Sequence, residues 1–483
     1  MSEDQGITVK KSENFSEWYT QVIQKAELAD YTLVSGCMVL RPWAYAIWEN
    51  IQKIVDEKIK KLGHKNAYFP MLIPESLLTK ESAHIKGFIP EVAWVTQGGN
   101  EKLAERLAIR PTSETIMYAS YSKWVRSWRD LPLLINQWCN VVRWEFKNPR
   151  PFLRTREFLW QEGHTVHATS EDADKEVRTI LLEVYKELAE NSLAISAVYG
   201  KKTENEKFPG ALYTTTFEGI MPDGKALQMG TSHQLGQNFS KPFDIQFVDK
   251  DEKKKYAWQT SWGISTRLIG GIIMVHGDDK GLVLPPKIAP LQAVIVPILF
   301  EKTRNEVIAE AEKIQYSLEE AGVRSHLDSR DSYSPGYKFN EWELKGVPLR
   351  IEIGPRDLKN GEVVLARRDT GEKRTVKLAG LKNAVSIALE SIQNNLLSQS
   401  KKFLDTHITE VKDYAIFKKI NDNGGGFAKV SWCGDSKCEE KIKEETGATI
   451  RVIPFEETKP KKGTKCILCG KEAKETVYAA RAY

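Results

Sequence analysis

The segment 143-RWEFKNPRPFLRTREFLWQEGH-164 gathers side chains suited to a nucleotide. Arg143 and Glu145 stand two apart, a spacing that sends both side chains to one face if the segment is a strand. A loop rich in Asn, Pro and Arg follows, and then Arg154-x-x-x-Phe158. A guanidinium is a planar fork that donates two hydrogen bonds to a phosphate at once, so an arginine-tipped loop can fold over a polyphosphate, and Phe158 offers a ring for stacking on a purine. An isolated Arg-x-Glu pair fits a surface ion pair equally well, so its meaning rests on its neighbours. Among these is 109-IRPTSE-114. Thr112 there has a second reading, as the N-cap of a helix over 113–125.

A separate chemistry is written near the end of the chain. Four of the six cysteines form two short-spaced pairs, Cys433-x₄-Cys438 and Cys466-x₂-Cys469. Two thiolate pairs match a tetrahedral Cys₄ zinc site, which is structural because no coordination position stays open. The competing reading is four reduced thiols without metal. Cys37 and Cys139 sit in apolar contexts and are expected in the core.

These residues need elements to position them. Pro42 opens an amphipathic helix over 42–62, with Ile47, Ile51, Ile54, Val55, Ile59 and Leu62 at helical spacing and Gly63 after it. An extended stretch from Asn66 to Ile73 contains Pro70, so it belongs at an edge, or meets something other than its own sheet. From about 105 to 275 short apolar runs alternate with polar turns, which predicts a mostly antiparallel sheet. Residues 168–196 are predicted as one long helix capped by Ser170. The proline-rich 281-GLVLPPKIAPLQ-292 marks a boundary. Beyond it β and α patterns alternate: strand 293–299, helix 304–321, strand 323–328, helix 335–345, strand 348–354, a hairpin over 362–378 turning at Thr370-Gly371, and a helix from about 381 to 405. The stretch 421-NDNGGGFA-428 is expected to be a flexible joint before the cysteine-rich tail.

The chain has 483 residues and a formal net charge of +5, which suits about three domains and permits a nucleic-acid partner without requiring one. The opening MSEDQGITVKK is acidic and polar, unlike a secretory signal, and no apolar run is long enough to span a membrane. A cytoplasmic location is the expectation.

Together these strings resemble the class II aminoacyl-tRNA synthetases. The segment 143–164 is similar to their motif 2, helix 42–62 with 67-AYFPML-72 to motif 1, and 262-WGISTRLIGGIIMVHGDDKGLVLPP-286 to motif 3. Further strings, TSE at 112–114, WQEGHT at 160–165, 228-QMGTSHQLGQNFS-240 and SPGYKFNEWELKGVP at 334–348, resemble prolyl-tRNA synthetases of the archaeal/eukaryotic-like type. The resemblance runs from about residue 10 to Tyr483. It implies an α/β multidomain fold: a class II antiparallel sheet with helices over 1–285, an α/β anticodon-binding domain over 286–405, and a small α+β zinc-bearing domain over 406–483. It implies activation of L-proline with ATP and Mg²⁺, transfer to tRNA(Pro), and a homodimer through motif 1, whose Pro70 lies at the interface.

The site roles follow from the same resemblance. Arg143, Arg154 and Arg267 are the catalytic phosphate clamps. Glu145, Phe158, Gln228 and Thr231 join them on ATP. Thr112 and Glu114 take the amine of proline, while Arg143, Phe158, Trp160, Glu162, His164, His233, Trp262 and Ser265 complete its pocket. Glu352, Arg356, Arg367 and Arg368 are candidates to read the anticodon, since Arg and carboxylate side chains match guanine edges. In similar synthetases the terminal tyrosine, here Tyr483, turns back toward the active site. Motifs 2 and 3 lie about a hundred residues apart, which leaves no room for the editing domain of bacterial-type relatives. Threonyl and histidyl synthetases are the near rivals. A non-catalytic paralogue that binds tRNA is the distant one, against which the three arginines speak.

Overall fold

A computed structural model of the chain describes residues 6–82, 91–145, 148–455 and 459–483, with backbone only for 80–82. Phe146 and Lys147 of the motif 2 loop lie outside the described residues.

The largest feature is an eleven-stranded sheet. Its centre is antiparallel and runs Val198–Lys201, Tyr213–Ile220, Ala226–Gly236, Trp258–Ser265, Glu157–His167 and Leu133–Val142. One face is packed by helices. Pro42–Lys61 buries Ile47, Ile51, Val55 and Ile59 of the stripe read from its spacing, together with Ala44 and Trp48, while Ile54 is half-buried and Leu62 lies just past its end and is exposed. Arg267–His276 is buried almost all round. The helix expected over 168–196 is capped one residue earlier than expected, by Thr169, whose hydroxyl accepts from the Asp172 N–H at 3.1 Å. It is α-helical over Ser170–Thr179 and winds into π turns over Ile180–Tyr185 and Leu188–Ser192.

The Asn66–Ile73 stretch divides at Pro70. Lys65–Asn66 pairs in parallel at the edge of the large sheet, and Leu72–Pro74 crosses to a three-stranded sheet with Trp94–Gly98 and Glu101–Ile109. A proline has no N–H for a ladder, so the chain changes partners there.

Residues 293–377 build a five-stranded sheet in the order Ser325–Leu327, Ala293–Pro297, Leu349–Ile353, Glu362–Arg367, Lys373–Lys377; the first three strands are parallel and the last two form the hairpin. Gly371 takes φ +73° at the hairpin turn. Helices Arg304–Glu320, Pro335–Leu344 and Leu381–Thr406 accompany it, with Val307, Ala311, Ile314 and Leu318 facing Val385, Leu389, Ile392 and Leu396 in one core.

The cysteine-bearing tail is not hung on a joint. Its strands Ile408–Glu410, Phe427–Trp432, Glu475–Ala480 and Thr449–Pro454 continue the large sheet, through Ile453 opposite Lys201 and Pro454 opposite Gly200. The 421–428 glycines form a tight turn packed on the catalytic core. Gly224 and Gly424, both at positive φ, pass so closely that a Cβ on Gly224 would fall 1.7 Å from the Gly424 carbonyl oxygen. Among the described residues no helix is long and apolar enough to cross a membrane.

Candidate active site

The sheet face away from the helices carries a cavity of about 320 Å³. Strand parity explains who lines it. Phe158, Trp160, Glu162 and His164 are two apart on Glu157–His167 and share this face. Ser265, Gly263 and Ser261 stand opposite Trp160, Glu162 and His164, and Thr231 and His233 stand opposite Gly263 and Ser261. A bulge at Met229 restarts the pairing, so that Gln228 opposes Glu218 and reaches the cavity as well. Trp262 is the exception. It stands opposite Gly163 on the other face, and a Cβ on Gly163 would fall 2.2 Å from its ring. Trp262 is among the residues lining the cavity, but its indole packs in the helical core beside His64 and Tyr185, so the ring supports the pocket floor from behind.

One end of the cavity is acidic. Thr112 donates its hydroxyl to Glu114, a residue it was expected to partner; it is not a helix cap, because the helix starts at Glu114 with Ser113 in the cap position. The turn is fixed by buried Arg110, whose guanidinium holds the Phe69 carbonyl at 2.8 Å and the Asn140 carbonyl at 2.8 Å. Glu162 accepts from the Ser113 hydroxyl and from Gln137 Nε2 at 3.0 Å, and pairs with His164 Nε2 at 3.1 Å. Burial opposes charge on both partners. For Glu162 the bonds from His164, Ser113 and Gln137 outweigh it and hold the carboxyl below its ordinary range. For His164 the bond to Glu162 and the charge of Glu114 outweigh it and raise the imidazole. The ring nitrogens of His233 meet the hydroxyls of Thr214 at 2.9 Å and Thr231 at 3.0 Å, and burial with the nearby His164 charge drives it down to about 3. Glu114 and Glu162 offer carboxylate oxygens within 4.8 Å of one another beside His164, so the carboxylates at this end are placed to accept from a cation.

The other end is basic. Arg143 lies just past the end of Leu133–Val142, with its guanidinium 5.5 Å from the Phe158 ring centre, 5.4 Å from Trp160, and Nε on the Pro111 carbonyl at 3.0 Å. Arg267 opens its helix and donates Nη1 to the Gln228 carbonyl at 3.3 Å. Enclosure, together with the like charges of Arg143 and Arg154, lowers Arg267 to about 10. Two guanidinium groups lining one cavity suit an anion there. Arg154 and Glu145 are exposed and lie outside the lining, Arg154 beside the loop closed by the Arg150–Arg154 backbone pair. The expectation that Arg143 and Glu145 share a strand face is corrected: the strand stops at Val142, and Glu145 sits in a turn.

Residues 94–276 match the family model for the tRNA synthetase class II core domain (G, H, P, S and T), 292–386 that for an anticodon binding domain, and 414–483 that for the prolyl-tRNA synthetase C-terminal region. A proline--tRNA ligase of Alkaliphilus oremlandii (strain OhILAs) is 57% identical over 470 residues, covering 97% of this chain and 96% of that one. One from Cenarchaeum symbiosum (strain A) is 55% identical over 481 residues, 99% of each chain. A proline--tRNA ligase 2 of Clostridioides difficile (strain 630) is 54% identical over 475 residues, 98% of this chain and 97% of that one. The chain belongs to the prolyl-tRNA synthetase family.

The outlying residues that resemblance to this family singled out fare unevenly. Arg368 is corrected: it is buried, with a two-pronged pair to Asp278 at 2.6 and 2.7 Å and Nε on the Glu343 carbonyl, and it ties the five-stranded domain to the end of motif 3. Arg367 is committed to Asp369 and Ser391. Glu352 is buried under Arg350 and Lys373. Arg356 is exposed at the start of Pro355–Asn360. Tyr483 donates to Asp223 Oδ2 at 2.7 Å, its N–H to the Ala226 carbonyl at 3.1 Å, and its ring lies 5.9 Å from the Arg150 guanidinium of the motif 2 loop. It borders that loop rather than the cavity. The Sγ atoms of Cys433, Cys438, Cys466 and Cys469 lie within 4.8 Å of one another.

Several residues in the cavity wall or directly behind it were not anticipated. Cys139, expected in the core, is half-buried, with its thiol 3.3 Å from both Glu162 Oε1 and Trp160 Nε1. Gln137 and Cys139 stand opposite Glu162 and Trp160, a relation that strand parity carries once the register is known. The wall formed by Glu206, Lys207, Phe208 and Pro209 has no periodicity and left no signal.

Proposed function

We propose that this chain is a proline--tRNA ligase that joins L-proline to ATP as prolyl-adenylate and passes the prolyl group to the 3′ end of tRNA(Pro). The observation that carries this reading is one cavity with Glu114, Glu162 and Thr112 at one end and Arg143 and Arg267 at the other. A zwitterionic amino acid fits between, ammonium toward the carboxylates and carboxylate toward the arginines. The carboxylate oxygen attacks the α-phosphorus of ATP, and pyrophosphate leaves with the bonding pair. No general base is needed, because the nucleophile is already ionised at neutral pH. The barrier is charge repulsion and alignment, which fixed cations lower. Arg143 spans the proline carboxylate and the α-phosphate. Arg267 holds the outer phosphates, and Arg154 reaches them from the motif 2 loop. Phe158 stacks on adenine, Glu145 accepts from its amino group, and Gln228 and Thr231 hold the sugar side. Trp160, His164, His233 and Ser265 enclose the proline ring. Mg²⁺, when bound, neutralises phosphate charge beyond the reach of the arginines.

The four thiols suit zinc. A tetrahedral site with Zn–S bonds of about 2.3 Å sets neighbouring sulfurs about 3.8 Å apart, and Cys469 Sγ stands 3.7 Å from Cys433 Sγ. We assign the catalytic domain to 1–285, the anticodon-binding domain to 286–405, with Arg356 as its exposed candidate reader, and the zinc domain to 406–483. Exposed Tyr68, Met71 and Leu72 within motif 1, with exposed Leu33 and Val34 preceding it in the chain, suit a homodimer interface. We place the enzyme in the cytoplasm.

The test is ATP–pyrophosphate exchange with proline, alanine, threonine and histidine, followed by charging of tRNA(Pro). Exchange that is strongest with proline is expected. Protein that binds tRNA without proline-dependent exchange makes the chain a non-catalytic relative.

A further inference from the structure

The cavity wall at 206–209 belongs to no strand or helix, yet its position is specified. The Phe208 ring lies 4.8 Å from that of His233, and its N–H donates to Thr214 Oγ1 at 2.8 Å, the hydroxyl that also meets His233 Nδ1. The segment therefore packs on the amine end. The groups that pin its base come from the C-terminal unit. Buried Thr203 donates its hydroxyl to Glu439 Oε1 at 2.6 Å and accepts from the Glu206 N–H at 3.3 Å. Arg451, on Thr449–Pro454, divides its guanidinium: Nε and Nη2 meet Glu218 at 2.8 and 3.1 Å, and Nη1 meets Glu206 Oε2 at 3.3 Å. Lys202, buried beside them, also pairs with Glu218. Two cations and two carboxylates thus enclose the start of the wall.

Such a cluster is poorly explained as a source of stability, since desolvating buried charges costs about what their attraction returns. What it does supply is direction: each partner has one geometry. Glu439 also follows Cys438 directly on the helix Ser436–Thr446, so the thiol cluster and the Thr203 contact share one rigid element.

We propose that Glu439 and Arg451 are positioning residues for the 203–209 wall, so that the cysteine-bearing unit sets the affinity of the amine end of the pocket. The identity of the amino acid bound there rests on the reading above; the mechanical linkage does not.

The variants are Thr203→Val, Glu439→Ala and Glu439→Gln in the full-length protein. Thr203 neither lines the cavity nor neighbours a thiol, and Val keeps its shape. Losing a hydrogen bond to a carboxylate should raise the KM for proline about tenfold in exchange assays with T203V and E439A, with kcat and the KM for ATP within about twofold. E439Q keeps an acceptor for the Thr203 hydroxyl and should stay near the parent. Independently of substrate, trypsin should cut after Lys207 faster in T203V and E439A than in the parent or E439Q. An unchanged proline KM in T203V that melts with the parent, or kcat and both KM values changing in step, overturns the proposal. If E439A fails to fold, T203V decides alone. If the parent shows no exchange with proline, the reading of function falls, and the Lys207 cleavage rates still decide this linkage.

Discussion

At the scale of residues, the site is a problem in charge placement. Arg143 and Arg267 make their direct contacts to carbonyls, and Arg143 to aromatic rings as well, while among the described residues carboxylates act on them only from beyond ion-pair distance, so their hydrogen-bonding forks remain turned to a ligand. Replacing Arg267 by Ala should lower exchange turnover by about 10²–10³-fold, the usual cost of removing one preorganised charge donor, with the melting temperature nearly unchanged. The Glu162–His164 pair gives a pH signature. The raised His164 contributes stability that is complete below its ordinary value, near 6.5, and is lost as pH rises through the raised one. The lowered Glu162 contributes stability that is complete above its ordinary value, near 4.5, and is lost as pH falls through the lowered one. The stability difference between parent and His164→Gln should therefore be greatest between about pH 4.5 and 6.5 and shrink in alkali. Denaturant titrations across that range check it. The residue types here were legible from the strings 109–114 and 143–164. That Arg368 closes on Asp278 instead of facing RNA was not, because nothing in sequence spacing pairs residues ninety apart in different domains.

At the scale of elements, strand alternation does most of the sorting. It places Phe158, Trp160, Glu162 and His164 on one face and sends Trp262 to the other, over Gly163. Gly163→Ala would drive a methyl into the indole, whose nearest atoms lie 2.2 Å from the new carbon. The floor must shift, so proline KM should rise and the melting temperature fall, together, unlike the Arg267 variant. The helix Ser436–Thr446 and the turns around Cys433, Cys466 and Cys469 enclose a small core in which three of the four thiols are themselves buried. Zinc, proposed for these thiols, would brace such a core. Chelation, or Cys466→Ser, should lower the zinc content and the melting temperature, while far-UV circular dichroism of the remaining helices persists. Metal analysis alongside the melt checks this. Helix 42–61 and the hairpin 362–377 were legible because amphipathic spacing and a Gly turn are local signals. The π turns after Thr179 and the bulge at Met229 were not, because both are adjustments to neighbours.

At the scale of the whole molecule, the stretch between motifs 2 and 3 is filled by the strands Val198–Lys201, Tyr213–Ile220 and Ala226–Gly236 and the long helix beneath them. Residues 240–256 add a short helix and a separate two-stranded sheet. On the proposal that the chain carries no editing domain, discrimination against a smaller amino acid falls to the pocket, which can reject a missing methylene by only about 10–200-fold. Ala-tRNA(Pro) should accumulate when alanine is in large excess, and purified enzyme should not hydrolyse it faster than buffer does. Acid-quenched charging assays with labelled alanine check both. The sequence alone determined the residue chemistry, the order of the elements and the family, since these are carried by local spacing and by strings along the chain. It took tertiary structure to decide that the indole of Trp262 lies behind the pocket floor, that Arg368 is a domain clasp, and that the cysteine-bearing tail extends the catalytic sheet instead of swinging on a glycine joint. Each of those depends on which surfaces meet, and burial of one surface against another is a property of the folded arrangement that no periodicity along the chain encodes.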